Sequence, residues 1–499
     1  MNMLQDHHIL ILGLGDSGLA MVRWCVLQGA QVTVVDSRAE PPGQAQLQAE
    51  GLSVNFKSQP FTADLIEQGD VRAVFKSPGL TPMEVAPVWQ AAQARGLWVG
   101  TELSLFAHAL SQLHTEEKPY QPKVLAITGT NGKTTVTSLT ALLLERAGLQ
   151  VAVAGNIGPT LLDTLRARLQ DLPEVWVLEL SSFQLDGVDN FVPTSACILN
   201  LTQDHLDWHE DMQAYGQAKA RVWSAVGVLG VLPRNDEQVM ALWPADSTDK
   251  KAVARPRISF GADLPQVPGD FGLSQDKGMT WLVRAAPAEE PMGKRGRVPE
   301  EELNIQRLMP ADALRIRGQH NALNALAALA LASTCSPSLA PLLHGLREYT
   351  GEPHRLSLVA VVSDVAYFDD SKGTNVGATV AAINSLGADH KLVVILGGDG
   401  KGQDFSPLMD PVSQFARAVV LIGRDAPLLA QALQATGVAL VQAHDMNEAV
   451  SQAAQHAQTG DAVLLSPACA SLDMYANYVA RAQAFTEAVH ELQLMEGTA

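Results

Sequence analysis

The run Gly129-Thr-Asn-Gly-Lys-Thr-Thr135 carries the most explicit chemistry in this chain of 499 residues. Glycines at 129 and 132 let the backbone wrap an anion, with its N–H groups pointing inward. Lys133 brings a compact positive charge suited to β- and γ-phosphates, and Thr134 a hydroxyl suited to Mg²⁺. Thr130, Asn131 and Thr135 complete the expected ATP-binding loop. The glycines stand closer together than in the common phosphate-loop pattern, so the flanks matter. Val124-Leu-Ala-Ile reads as a strand entering the loop, and Thr137 to Glu145 as a helix leaving it. Strand, loop, helix is the setting that phosphate binding requires; the plain alternative is an ordinary strand-to-helix turn.

Further polar groups follow apolar strands. Glu179 ends the run Glu174-Val-Trp-Val-Leu-Glu179. A carboxylate in such a run needs a cationic partner, either Mg²⁺ beside the phosphate loop or a core ion pair. Asp204 and His205 follow Ser195-Ala-Cys-Ile-Leu-Asn-Leu. Asn321 and Asn324 share one face of a helix opening at Gly318; they suit either a nucleotide or a helix cap. Near the carboxyl end, Asp370-Ser-Lys-Gly-Thr374, Gly397-Gly-Asp-Gly-Lys401 and Ser466-Pro-Ala-Cys-Ala-Ser-Leu-Asp473 each close an apolar strand. With Lys372, Lys401 and Ser471, three such ends suggest a site for an anionic small molecule.

The elements that must position these groups alternate as strands and helices, the pattern of an α/β protein. His8-Ile-Leu-Ile-Leu leads into a second glycine turn, Gly13-x-Gly15-x-x-Gly18, and Gln31-Val-Thr-Val-Val-Asp36 follows at the spacing of a ribose-binding carboxylate. Arg72-Ala-Val-Phe-Lys-Ser-Pro-Gly79 is another strand and turn, so the first part reads as a small Rossmann-like unit. Ser111 to Pro122 reads as a linker. Residues 250–310 are rich in Pro, Gly and charge. Asp270 to Val283 within them has the pattern of a hairpin, and Ala286 to Glu302 that of an exposed loop. The third unit begins near Thr350 and reads as doubly wound.

Composition sets limits. The chain is 47% hydrophobic and 18% charged, with a formal net charge of −18. That balance argues against a nucleic-acid surface, though not against one nucleotide in a local loop. Four cysteines, Cys25, Cys197, Cys335 and Cys469, lack zinc or disulfide spacing and fit a reducing cytoplasm. No apolar run reaches membrane-spanning length and none reads as a signal peptide. A cytoplasmic protein without membrane contact is expected.

Glu179-Leu-Ser-Ser182, Asp204-His205, Gly318-x-His-Asn-x-x-Asn324, Pro353-His-Arg355 and Asp370-Ser-Lys-x-Thr-Asn375, together with the phosphate loop, resemble the Mur ligase family in order and over nearly the full length. These are ATP-dependent amide-forming enzymes that assemble the peptidoglycan stem peptide. Ser181-Ser-Phe-Gln-Leu185, Leu396-Gly-Gly-Asp-Gly-Lys401 and Ser466 to Asp473 look most like the member that adds D-glutamate to UDP-N-acetylmuramoyl-L-alanine. Tyr478 stands where that member usually has Phe, and residues 250–310 look longer than usual.

The resemblance implies three domains: a Rossmann-like UDP-substrate domain over 1–112, a P-loop-type ATPase domain with a mostly parallel sheet over 113–350, and a Rossmann-like amino-acid domain over 351–499. It implies ATP and two Mg²⁺ ions. Thr134 and Glu179 would hold one ion, and His205 with a carbamylated Lys219 the other; Lys133, Glu179, His205 and Lys219 would be catalytic. Asn324, Arg355 and Asp370 would join the loop in binding ATP. The UDP substrate would lie on Asp16, Ser17, Asp36, Ser37, Arg38, Ser77, Pro78, Gly79 and Asn156. D-Glutamate would meet Lys372, Thr374, Lys401, Ser471, Leu472 and Tyr478. A monomer is expected, hinged near residues 349–353. Three other readings remain. Another Mur-type or a folylpolyglutamate synthetase-like amide ligase shares the ATP core, but for the latter the UDP-type first domain and Ser466-Pro-Ala-Cys-Ala-Ser471 speak against it. A nicotinamide dehydrogenase leaves the phosphate loop idle, and a nucleotide switch leaves the third unit's Lys and Ser cluster idle.

Overall fold

The structure is a computed structural model that describes residues 3–67, 69–115, 118–245, 254–286 and 303–497. It holds three large sheets, each built on parallel strands. In the first, His8–Leu12 is central, with Gln31–Asp36 and Val54–Ser58 on one side and Val71–Lys76 and Trp98–Thr101 on the other. All are parallel. The inner strands are apolar on both faces because helices cover both. His8 pairs with Gln31, and Leu12 with both Val35 and Lys76. The turns at Gly13, Asp36 and Ser77 are therefore neighbours at one carboxyl edge.

The second sheet has nine strands. Lys123–Thr128 lies between Val175–Glu179 and Ser195–Ile198, and Val151–Gly155 closes one edge. On the other side Leu229–Pro233 and Arg257–Phe260 continue the parallel ladder. Phe271–Asp276, Met279–Ala286 and Asn304–Pro310 then extend it, the last two antiparallel. The hairpin read from Asp270 to Val283 is present. The proline- and glycine-rich stretch thus adds strands to the second sheet; the loop read from Ala286 to Glu302 lies almost wholly outside the described residues. The linker read over Ser111 to Pro122 contains the end of helix Glu102–Gln112 and a short antiparallel pair, His114–Thr115 with Lys118–Pro119.

The third sheet has six strands, in the order Ser357–Val362, Val365–Asp369, Ala462–Leu465, Leu392–Gly397, Ala416–Ile422, Ala439–Gln442. It is parallel except for the first strand, which pairs antiparallel at the edge. The cores divide unevenly. One apolar cluster runs without a break from the first sheet into the second, with Phe106 edge-on to Trp176 at 5.1 Å. The two clusters of the third domain draw only on residues between 356 and 492.

Candidate active site

The phosphate loop is set by register. Glu179 pairs with Ile127 and Ile198 with Thr128, so three adjacent strands end level. The loop after Thr128, the Glu179 carboxylate and the segment Asn200–Asp204 consequently meet at one edge. Helix Lys133–Arg146 starts directly from the loop. Its N-cap, Gly132, has φ +82° and offers no side-chain cap, so the first N–H groups stay open to an anion. A side chain at 132 would also collide with the helix Gln319–Ser333, because a Cβ there would lie 2.6 Å from Asn324 Oδ1. Asn324 in turn donates to Asn321 Oδ1 at 3.1 Å, as their shared face requires.

Lys133 Nζ donates to the loop carbonyls of Gly129 (2.9 Å) and Thr130 (2.7 Å). Burial lowers its pKa, opposed by Glu179 and Asp204. Lys219, from helix Met212–Ala220, is buried and also donates to Gly129 O, at 2.9 Å. Its ammonium position lies 4.4 Å from the Tyr215 ring centroid. Burial, then the nearby Lys133, drives its pKa well below the ordinary value. A neutral amine is the form that adds CO₂ to give a carbamate.

Glu179 Oε1 accepts from Asn156 Nδ2 at 2.9 Å. Its other oxygen is buried and has no hydrogen-bond partner among the described residues. An orphaned carboxylate oxygen beside a phosphate loop is the donor that a hard divalent cation seeks. Burial works against the Asp204 carboxylate, yet His205, Lys401 and Lys133 hold its pKa below the usual range. Burial takes His205 down to about 4. The imidazole is then neutral, which leaves the two lysines as the charges that keep Asp204 ionised. Neutral His205 has a lone pair for a metal. Among the described residues no three His, Cys, Asp or Glu side chains gather as a metal-binding group. The expected ligand set contains only two such side chains; a hydroxyl and a modified lysine supply the rest.

The third domain is docked on this edge. Lys372 Nζ donates to Thr134 Oγ1 at 3.1 Å, and Lys401 Nζ pairs with Asp204 at 3.4 Å. Asp370 is buried under Ser466, whose hydroxyl donates to it at 2.6 Å, and burial pushes its pKa up to about 7. Arg355 and Asp370 line a cavity of about 620 Å³ with Asn131, Gly132, Thr135 and Asn324. The expected ATP residues from two domains thus share one space. Tyr478 starts the last helix, its ring 5.7 Å from Lys372 Nζ. Ser471 is buried, whereas the Leu472 side chain is 71% exposed. Thr374 lies in the turn between Lys372 and the helix Val376–Gly387.

At the first sheet, Asp36 is committed inward. It accepts from Leu14 N at 2.8 Å and from Arg38 through both backbone and guanidinium. Ser77 Oγ donates to Gly13 O at 3.0 Å. Asp16 and Ser17 open helix Asp16–Leu27, and Ser37, Pro78 and Gly79 extend the neighbouring turns. Exposed Asn156 lies on the second sheet and is tied to Glu179. Sequence reasoning missed Asn200, whose amide accepts from Asn131 N (2.8 Å) and donates to Asn131 O (3.0 Å). It also missed Thr202 and the cavity-lining Asn235 and Gln238, and it quoted His320 and Asn375 only as motif members without a role. A polar residue directly after an apolar strand was the available signal for Asn200.

Known proteins place the chain further. Residues 7–100 match the family described as Mur ligase MurD-like, N-terminal domain, residues 127–332 the Mur ligase middle domain, and residues 354–469 the Mur ligase, glutamate ligase domain. The chain is 60% identical over 504 aligned positions to the UDP-N-acetylmuramoylalanine--D-glutamate ligase of Albidiferax ferrireducens, covering 100% of this chain and 99% of the relative. It is 52% identical to the ligase of the same name from a Polaromonas species, with 100% of both covered. The chain belongs to the Mur ligase family. Two solved structures share the Mur ligase fold with it. UDP-N-acetylmuramate-alanine ligase MurC from Thermotoga maritima superposes with a TM-score of 0.55 at 20% identity, covering 97% of this chain and 99% of the other. A pseudomurein peptide ligase type C from Methanothermus fervidus gives 0.53 at 18%, covering 98% and 100%. No described helix of this Mur ligase is long and apolar enough to cross a membrane.

Proposed function

We infer that this chain is the ATP-dependent ligase that joins D-glutamate to UDP-N-acetylmuramoyl-L-alanine, releasing ADP and phosphate, in peptidoglycan precursor synthesis. The observation that carries the reading is full-length identity of 60% to a relative of that name. The convergence of phosphate loop, Glu179 and third-domain lysines supports it. The working unit is a cytoplasmic monomer, divided as UDP-substrate domain 1–112, ATP domain 113–350 and D-glutamate domain 351–499.

A carboxylate is a poor acyl donor. The alanyl carboxylate therefore attacks the γ-phosphorus of ATP, the bond to the ADP oxygen breaks, and an acyl phosphate forms. The neutral amine of D-glutamate then adds to the acyl carbon, and the tetrahedral species collapses to amide and phosphate, with the amine proton lost to solvent or base. Charge develops first on phosphoryl oxygens, so positioned cations matter most. Lys133, at the start of its helix, meets the transferring phosphate, and the open N–H groups of that helix cradle it. Arg355, Asp370 and Asn324 hold the nucleotide in the shared cavity. Thr134 and Glu179 would hold one Mg²⁺, and neutral His205 with Lys219, once carbamylated, would hold a second; such ions would neutralise phosphate charge. Asp16, Ser17, Asp36, Ser37, Arg38, Ser77, Pro78 and Gly79 seat the UDP end, and Asn156 reaches the substrate near the second domain. Lys372, Lys401, Thr374, Ser471 and the main chain at Leu472 answer the two carboxylates of D-glutamate, with Tyr478 against its aliphatic part.

The test is phosphate release with ATP, UDP-N-acetylmuramoyl-L-alanine and D-glutamate, each omitted in turn. All three should be needed. A panel of amino acids sharpens it: donors built for two carboxylates would be left unpaired by a substrate with one, and discrimination of that kind reaches ~10⁴. Faster joining of L-lysine, meso-diaminopimelate or L-alanine than of D-glutamate would overturn the assignment.

A further inference from the structure

The three domains are not joined alike. The first and second share one continuous apolar cluster, while the third keeps its clusters to itself. The closed arrangement of the third domain on the phosphate loop is carried at that edge by polar contacts. Two of these contacts, Lys372 with Thr134 and Lys401 with Asp204, use lysines that the ligase reading assigns to D-glutamate. Substrate and metal compete for both. Two contacts involve no such lysine: Asp404 N–H donates to Gln203 Oε1 at 3.1 Å, and Asn375 pairs with Asn131 of the nucleotide loop itself.

We propose that Asn375 is a positioning residue. Paired with Asn131 of the phosphate loop, it latches the third domain closed over the nucleotide. Asn375 Nδ2 donates to Asn131 Oδ1 at 3.0 Å, and Asn131 Nδ2 donates back to Asn375 Oδ1 at 3.2 Å. The second N–H of Asn375 reaches Asp204 Oδ2 at 3.3 Å. Its oxygen also accepts from Ala378 N at 2.9 Å, which caps helix Val376–Gly387. Both hydrogens and both lone pairs of this buried amide are therefore used.

Asn131 is fixed just as closely. Its backbone is pinned by Asn200, and its amide also donates to Thr202 Oγ1 at 3.3 Å. The helix can come this near because residue 377 is glycine: a Cβ there would lie 2.8 Å from Thr202 Oγ1 and 3.2 Å from Asn131 Nδ2. The same amide starts the helix and grips the loop, so helix and third domain move together with the latch. The inference rests on the ligase reading only for what closure serves.

The test separates latch from cap. Asn375→Ser keeps a hydroxyl that can cap Ala378 N–H but is too short to reach Asn131. Asn375→Asp keeps the cap and replaces the amide N–H₂ with an oxygen facing Asp204 and Asn131 Oδ1. Small-angle scattering of the full chain, alone and with Mg²⁺ and a non-hydrolysable ATP analogue, reads closure without any turnover. Both variants should be larger than wild type in each condition, with an unchanged melting temperature. Loss of two reciprocal hydrogen bonds should shift the open–closed balance roughly tenfold and raise the KM for ATP more than it lowers kcat. Asn131→Ser should open the particle similarly, and the double variant no further. Wild-type scattering and KM in Asn375→Ser would overturn the proposal, as would a fall in melting temperature with scattering unchanged, the mark of a cap alone. Failure of the ligase reading would show as missing product while scattering still responded.

Discussion

Two glycine turns in this protein start from the same plan and end in different chemistry. Each follows a central parallel strand and opens a helix, at Gly13–Gly18 and at Gly129–Lys133. The first turn is filled by its own domain. Asp36 takes the Leu14 N–H, Ser77 takes the Gly13 carbonyl, and Gly18 packs so near that a Cβ would stand 2.1 Å from Gly13 O. Its helix begins with an acid, Asp16. Neither helix start carries a side-chain cap, but the second turn brings a lysine and faces a cavity shared with another domain. A glycine turn on a sheet edge is thus a framework for holding a ligand; the charge at the helix start, Lys133 against Asp16, decides whether it also handles a reacting phosphate.

The largest effect should expose that contrast. Lys133→Ala is expected to lose several orders of magnitude in turnover while its melting temperature stays near wild type. Gly18→Ala should do the opposite, destabilising the fold by a clash that backbone atoms cannot easily relieve. Steady-state kinetics beside thermal melts would check both, and a Lys133→Ala enzyme with a tenth of wild-type activity would collapse the distinction. Lys219 comes next. This lysine of helix Met212–Ala220 is buried, donates to Gly129 O and has its pKa driven well below the ordinary value, chiefly by burial. If it acts as a carbamate, Lys219→Ala should be nearly inactive and partly restored by small carboxylates such as formate or acetate. Full activity without additive would end that role.

Much of this was legible because phosphate chemistry is local. Gly129 to Thr135, its strand and its helix lie within a few turns of one another in sequence, and the carboxylate at Glu179 was conspicuous in an apolar run. Asn200 was not legible and Asn375 was visible only as a motif member, since their contacts arise from strand ends brought level by register and from the docking of a separate domain. The added strands between residues 257 and 310 were half seen. The hairpin has a sequence pattern, but its joining to the ATPase sheet depends on an edge the sequence does not display. Ser357–Val362 was missed for a related reason: an edge strand with exposed Leu358 and Val361 lacks the continuous apolar signature of its inner neighbours.

A smaller effect belongs to Asp36. Burial raises the pKa of its carboxyl, but the Arg38 guanidinium and the N–H groups of Arg38 and Leu14 outweigh that and hold it below the usual range. Asp36→Ala removes charged hydrogen bonds from a buried turn, at a cost of about 2 kcal/mol. It should raise the KM for the UDP substrate and leave that for ATP unchanged. Equal changes in both would mean that the first turn does more than seat its own ligand.

The effect with a sign to fix, one on stability and not on turnover, concerns Glu102 behind the first turn. This residue opens helix Glu102–Gln112, accepts from Leu162 N at 2.9 Å and is buried between the first two domains. Burial pushes its pKa up from 4.5 to about 7, against the pull of the Leu162 N–H and the Ser17 and Thr160 hydroxyls. The folded protein therefore holds this proton to higher pH than the unfolded chain does. Below about 4.5 both states are protonated. As pH rises towards 7 the unfolded chain releases its proton first, so stability falls, by up to ~3 kcal/mol for a shift of that size; above 7 the loss is complete. Glu102→Gln keeps the acceptor for Leu162 and has no proton to release. Urea midpoints should then be similar for variant and wild type near pH 4.5 and higher for the variant at pH 8. A variant that is less stable at pH 8 would mean that Glu102 is held as a carboxylate, and that the first turn, like the phosphate loop, is organised around a buried charge.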